Sequence, residues 1–417
     1  MPERKSGLRS LNNRGFAIFR GCVPAAVLLL AWLLLGTCVH ARVTEGRIRA
    51  ILLGDVIEQY GSYNSFTVIG YDPSIITTLI PSRPDYIGGY ENAYRNMRQY
   101  MPRTYEQLVQ SYDLIISSDS DRLVFTSMWI GWLSSSVEDD GLGLLWLGSI
   151  MSEVFVGWEG TSVAEVLPTS QAPGQYTRDA AFFLRIIDPD EPLMQSLPWE
   201  KTPALANVNA QVQKEASLLW ATAEGVMEVH PLMTYWERGE GSVLCFSSKF
   251  PIGVLPWAKD WNLFPQAMIY MVYRTVGREL PEDPYLFERV INSFIEFSTF
   301  NSVLDSILEW VERFGGNPTK VRERFDELVD VQLRGERSFL EGDIEGAMEV
   351  ITEAREGQRS LMEDAMKAKD EALFWVYVTE WCALLGTLMI SSYVLWALMV
   401  RRRLYKEVRT SRLELRT

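Results

Sequence analysis

Cysteine and histidine are both scarce in this chain of 417 residues, with four of the first and two of the second. Cys22 and Cys38 lie in an apolar block near the N-terminus and Cys382 in another near the C-terminus, leaving only Cys245 for the central body. An intradomain disulfide is therefore excluded there, and no CxxC pair exists to hold zinc. With only His40 and His230, a histidine-rich metal site is excluded too. Net positive charge is confined to the two ends. Residues 1–21 carry net +4 and residues 401–417 net +5, so residues 22–400 carry −23 against −14 for the whole chain. A body that acidic repels nucleic acid and anionic headgroups, and nucleic acid is not an expected partner.

Two long uncharged runs are present. Residues 22–39, CVPAAVLLLAWLLLGTCV, follow a basic stretch, and Val39-His40-Ala41 offers a cleavage site. This is the layout of a signal peptide over 1–41, with an uncleaved signal anchor as the alternative. Residues 381–400, WCALLGTLMISSYVLWALMV, span about 30 Å as a helix, the thickness of a hydrocarbon core. Trp375, Tyr377 and Trp381 mark one end and Trp396 the other, and Arg401, Arg402 and Arg403 follow as a stop-transfer signal. A transmembrane helix is expected over 375–400, with a basic cytoplasmic tail over 401–417 and the bulk of the chain outside. The lipid bilayer is then one partner, other membrane or envelope proteins are further candidates, and an oligomer is open.

Between these runs the pattern changes once. Ile48–Leu53, Ser65–Ile69, Leu114–Ser117, Gly143–Gly148 and Val243–Ser247 read as short apolar strands bounded by turn residues, while Tyr105–Gln110 and Phe125–Val137 have helical spacing. Alternation of this kind predicts an α/β domain with a Rossmann- or flavodoxin-like parallel sheet over 45–278. From Pro284 helical spacing takes over: Tyr285–Phe314, Val321–Leu333, Ser338–Leu340, then a helix starting in Glu341–Ala347 and heading through Lys369 toward the membrane. We read 284–372 as a helical stalk. The stretch GERSFLEGDIEGAMEVITEA resembles one tetratricopeptide-like hairpin, but no second copy follows at a fixed period.

Several segments together resemble the class I glutamine amidotransferase-like fold, in the divergent form fused to prokaryotic membrane segments. Tyr112-Asp113-Leu114-Ile115-Ile116-Ser117-Ser118-Asp119 matches "YDLII-SD", and Val137–Gly148 matches "V-DGGGLL-IGG". Gly157–Thr161 with Ala164–Pro168 follows the family's "GY-GTPL-E-LP", and His230–Leu244 its "PLL--W--GKGRV" hairpin. The resemblance covers roughly residues 45–278. In active members it implies a nucleophilic cysteine on the turn after the GGGLL strand, deprotonated by a distant histidine that a glutamate two residues later orients. Here that turn reads Gly148-Ser149-Ile150-Met151-Ser152, and His230 is followed by Pro231-Leu232. Neither nucleophile nor oriented base is present, so no catalytic residue, metal ligand or cofactor is assigned.

Ligands of parallel α/β sheets sit beyond the carboxyl ends of the strands. Gly54, Asp119, Gly148, Ser149 and Ser152 are accordingly the candidate cleft residues. The expected function is ligand or protein binding by a catalytically inactive extracytoplasmic domain. The alternatives are a serine hydrolase using Ser149 or Ser152 with His230 as base, and a structural envelope component. Asp119, Asp121, Asp139 and Asp140 read as solvated loop and helix-end carboxylates rather than a cation site, since no EF-hand spacing supports one. Cys245 reads as a small buried hydrophobe. The apolar loop Phe250–Trp261 is either a partner surface or packing beneath the sheet.

Overall fold

The computed structural model describes residues 46–55, 68–148, 157–172, 177–178, 181–205, 208–248, 260–314 and 316–414. Residues 1–41, read above as a signal peptide or anchor, together with Ser149, Ser152 and most of the 250–261 loop, lie outside the described residues. The chain divides after Pro284 into two compact units.

The first unit is an α/β domain built on one eight-stranded sheet. Its strands are β1 (Ile48–Gly54), β2 (Ile75–Pro81), β3 (Leu114–Ser118), β4 (Gly143–Leu147), β5 (Phe183–Ile186), β6 (Leu218–Glu224), β7 (Val229–Arg238) and β8 (Gly241–Phe246). Their order across the sheet is β2-β1-β3-β4-β8-β7-β6-β5. The first five run parallel and the last three antiparallel to their neighbours. The fully parallel sheet expected from the sequence is thus corrected at one side. The cause is loop length: β6 and β7 are joined by four residues and β7 and β8 by Gly239-Glu240, far too few for a parallel crossover.

A second correction concerns β2. Of the strand expected at Ser65–Ile69 only Val68 and Ile69 are described, and they are buried in a helical turn; the edge strand begins at Ile75. As the edge of the sheet, β2 is half exposed and carries Thr77 and Thr78. It lacks the continuous apolar run of the buried strands β1, β3 and β4.

Strand alternation sorts the core into two faces. Ile51, Leu53, Ile115, Leu144, Trp146, Val243 and Cys245 share one core with side chains of α1 (Tyr90–Tyr100), α2 (Tyr105–Ser111) and α3 (Ser127–Glu138). Thr104 and Thr126 cap α2 and α3 by accepting the N–H groups of Gln107 and Trp129. The opposite face is covered by α4 (Phe264–Thr275), ten of whose twelve residues are buried. Asp72, at the turn before β2, accepts from Tyr273 of α4 and from the Ser74 N–H, pinning that helix to the sheet.

The second unit is helical. α5 (Pro284–Arg313), α6 (Thr319–Leu340) and α7 (Ile344–Glu414) form an up-down-up bundle. Leu304, Leu308, Val321, Phe325, Leu361 and Ala365 make its core, and Phe287, Phe294 and Phe339 a second aromatic layer. The residues read as Val321–Leu333 and Ser338–Leu340 form one uninterrupted helix. Among the described side chains of α7 the last buried one is Ala372; beyond it the helix continues through Phe374, Trp375, Tyr377, Trp381 and the apolar run to Tyr405, with these aromatics and the large apolar side chains exposed. It is the one helix among the described residues long and apolar enough to cross a membrane.

Candidate functional site

The carboxyl ends of the parallel strands converge on buried polar groups. Gly54 ends β1 at φ +110, and a Cβ there would stand 1.9 Å from the Ser118 carbonyl oxygen of β3. Only glycine lets the two strand ends approach so closely. Ser118 then accepts the Asp55 N–H at 2.8 Å, and Ser120 Oγ donates to the Leu53 carbonyl at 3.0 Å. Between them, Asp119 takes φ +51, in the left-handed region.

That conformation delivers the Asp119 carboxylate to Arg83, which follows β2 and donates to it from Nη1 at 3.1 Å. The two side chains are only 2% and 0% exposed. Arg83 also pairs with the exposed Asp85 at 2.8 Å, and its backbone N–H reaches the Gly54 carbonyl. Asp121 accepts from Tyr90 Oη at 2.8 Å and caps the turn at Arg122–Val124. The expectation of solvated carboxylates is therefore corrected at Asp119 and Asp121, which are buried, whereas Asp139 is exposed and Asp140, half-buried, accepts from Tyr105. Among the described residues no three such groups stand close enough to share a metal ion. In this sheet the order reverses between β1 and β3, where open α/β sheets bind ligands. Here the protein's own arginine fills that crevice.

Gly148, at the end of β4, is held differently. Its N–H reaches the carbonyls of Phe246 and Ser248, and a Cβ would meet Asn209 Oδ1 at 2.2 Å and the Ser248 carbonyl carbon at 2.8 Å. Gly54, Asp119 and Gly148 are thus all brought to the same edge of the sheet, as load-carrying backbone and ion-pair positions. Ser149 and Ser152 follow outside the described residues.

Open space near the sheet's carboxyl edge lies over β4 and β8. A cavity of about 270 Å³ is lined by Trp158, Glu159, Gly160, Ala164, Leu167, Thr169, Ser170 and Gln171. Trp158 forms its floor, edge-on to both Trp146 and Phe125 at 5.1 Å, with its indole N–H donated to Ser120. The strand pair Thr169–Gln171 and Gln211–Gln213 forms one wall. Behind that wall, Gln211 Oε1 accepts from Ser247 Oγ at 2.8 Å, and Thr169 Oγ1 lies 3.7 Å from Cys245 Sγ. Gln211 is buried, and its Nε2 finds no hydrogen-bond partner among the described residues. Lys214 clamps the short helix Ser162–Val166 by donating to the Ala164 carbonyl at 2.7 Å; burial lowers its pKa, and Trp236 lies 5.2 Å from its ammonium.

This chemistry suits holding a small polar molecule against an aromatic floor. It does not suit thiol attack. Cys245 is fully buried in β8, and burial pushes its pKa up to about 11, so it is a neutral thiol near pH 7. The expected packing role for Cys245 agrees with this environment. His230 stands at the start of β7, 3.2 Å from Glu228 and against the Phe182 ring.

Sequence reasoning passed over Arg83, Thr169 and Gln211. The displaced β2 hid Arg83, since Pro81-Ser82-Arg83-Pro84 gains meaning only as the carboxyl end of an edge strand. Thr169 and Gln211 sit in three-residue strands with no periodicity long enough to read.

No family model and no curated protein matches the chain. Among solved structures it is similar to cytoplasmic protein STM1381 from Salmonella typhimurium LT2, with 17% identity, 55% of this chain and 99% of that one covered, and a TM-score of 0.44. Cytoplasmic protein STM3548 from Salmonella typhimurium gives 16% identity, 53% and 96% coverage, and a TM-score of 0.41. An exo-β-1,4-mannosidase, Op5Man5, from Opitutaceae bacterium strain TAV5 gives 12% identity over 55% of this chain and 36% of that one, at a TM-score of 0.32. At these identities and scores none of them carries an argument about activity.

Proposed function

We propose that the chain is a single-pass membrane protein whose extracytoplasmic α/β domain binds a small ligand or a protein partner without hydrolysing glutamine. The observation that carries the membrane part is the state of α7. Its residues 381–400 are uncharged, their large apolar side chains are exposed to a degree found nowhere else in the described chain as a continuous run, and Arg401-Arg402-Arg403 follow at once. Lipid is the solvent such a helix fits, and the arginines favour a cytoplasmic C-terminus.

The strand order of the five parallel strands, second, first, third, fourth and eighth, supports a flavodoxin-like sheet and a distant kinship with amidotransferase-like domains. The protonated, buried Cys245 supports a non-catalytic reading, and the cavity beside Trp158 is the place where a ligand would fit. The test combines two measurements on the full chain. Membranes carrying it are washed in alkaline carbonate, where retention in the pellet is expected and release would defeat the membrane reading. The purified protein is then given glutamine, and ammonia release lost on His230→Ala would defeat the non-catalytic one.

A further inference from the structure

The bundle ends where the apolar run begins. α5 runs parallel to α7: Glu296 pairs with Arg355, Lys369 Nζ lies 6.0 Å over the Trp310 ring, and a Cβ on Gly316 would stand 3.3 Å from Ala372 Cβ. The turn joining α5 to α6 is therefore level with Ala372. Two residues later, about 3 Å further along the helix, Phe374 is 62% exposed and Trp375 63%. The turn itself presents an exposed Phe314, tilted against Trp310 with ring centroids 4.4 Å apart, between exposed Arg313 and Lys320. Aromatic rings beside cations are the composition of a membrane interface.

We infer that this end of the bundle, Trp310 and Phe314 with the turn Gly316–Pro318, is seated in the headgroup layer of the bilayer that α7 enters. The inference rests on the transmembrane reading of α7 and replaces a raised stalk with a bundle standing on lipid. Distances along α7 fit it. With Val400 at the inner hydrocarbon boundary and a tilt of about 20°, a core about 30 Å thick ends near Thr379, and Ala372 lies about 10 Å above it. The same tilt, leaning toward α5 and acting on helix axes 8–10 Å apart, lowers α5 by about 3 Å and leaves the turn about 7 Å above that boundary, at the outer edge of a headgroup layer roughly 5–7 Å thick. The occupant is lipid rather than protein because the same exposed surface continues without a break into the apolar run.

Photo-crosslinking on the full-length chain in phosphatidylcholine–phosphatidylglycerol liposomes tests this. p-Benzoylphenylalanine replaces Phe314, Leu333 or Leu388 in turn, and covalent lipid adducts are counted by mass spectrometry. Leu333 is exposed on α6, about 22 Å from the turn, and serves as the aqueous reference. Lipid adducts at 314 and 388 several-fold above those at 333 are expected. Adducts at 388 with only the background of 333 at 314 would overturn the seating of the bundle and leave the transmembrane helix intact. No adducts at 388 would overturn the transmembrane reading, and the seating with it.

Discussion

Replacing Arg83 by methionine keeps the length of the side chain and removes the charge opposite Asp119. Both groups are almost wholly out of water, so the expected loss is that of a broken buried pair, about 3–5 kcal/mol, against about 0–1 kcal/mol for an exposed one. At about 2–4 °C per kcal/mol for a domain of this size, the melting temperature falls by about 6–20 °C. Asp119→Asn is the matching change on the other side, and asparagine tolerates the left-handed backbone at this position as aspartate does. The double variant is expected to lose less than the two singles together, with a coupling of about 1–3 kcal/mol. Thermal unfolding of the full-length protein in detergent, followed by tryptophan fluorescence, reads all three. Arg185→Met, which breaks the more exposed pair with Glu224, is the reference. Singles no worse than that reference, or a strictly additive double, would refute the view that this ion pair closes the crevice between β1 and β3.

Three further outcomes are expected. Gly54→Ala and Gly148→Ala each cost more than about 2 kcal/mol, because the added Cβ meets backbone atoms at 1.9 and 2.8 Å, while Gly160→Ala, with open space but φ +71, costs about 1 kcal/mol; chemical denaturation ranks them. Cys245, its pKa held near 11 by burial, stays unmodified by iodoacetamide at pH 8 in the folded Cys382→Ser protein and reacts after unfolding, as peptide mapping would report. Burial raises the pKa of Asp72 above its ordinary value, with hydrogen bonds from Tyr273 and Ser74 opposing the shift. The folded state then holds this proton more tightly than the unfolded one. The contribution to stability is complete below the unfolded pKa and is lost as pH rises through the folded one. Asp72→Asn is accordingly expected to gain melting temperature relative to the native protein between pH 4 and 7, and an unchanged difference across that range would contradict the assignment.

The strands legible in the sequence were those buried on both faces. β1, β3, β4 and β8 are continuous apolar runs, because helices cover the sheet above and below them. β2 and β5 lie at the edges, where alternating exposure dilutes the apolar signal. β6 and β7 are antiparallel, and their hairpin turns reveal direction only when the pairing is known. The long helices α5, α6 and α7 were legible because amphipathic spacing over many turns is hard to imitate. At the site, Gly54, Asp119 and Gly148 could be placed at the carboxyl edge from strand ends alone. The partner of Asp119 could not, since Arg83 reaches it across 36 residues of chain by a route that depends on which strand is the edge.

Two helices among the described residues, α4 and α7, are rich in apolar side chains, and their fates differ for a physical reason. α4 is about 18 Å long and is buried by the sheet, so its side chains are already out of water within the domain. In α7, thirteen large apolar side chains between Trp381 and Val400 are exposed, and at about 1.5 kcal/mol each their hydration costs on the order of 20 kcal/mol. That exceeds the roughly 5–15 kcal/mol by which a domain is stable, so the run needs an apolar surround that the described chain does not supply. Helix association in water would serve equally well on energy alone. It would not require aromatic rings at the two ends of the run, a triple arginine immediately beyond one of them and a bundle turn about 13 Å beyond the other. Those three features fit a medium with two polar surfaces about 30 Å apart.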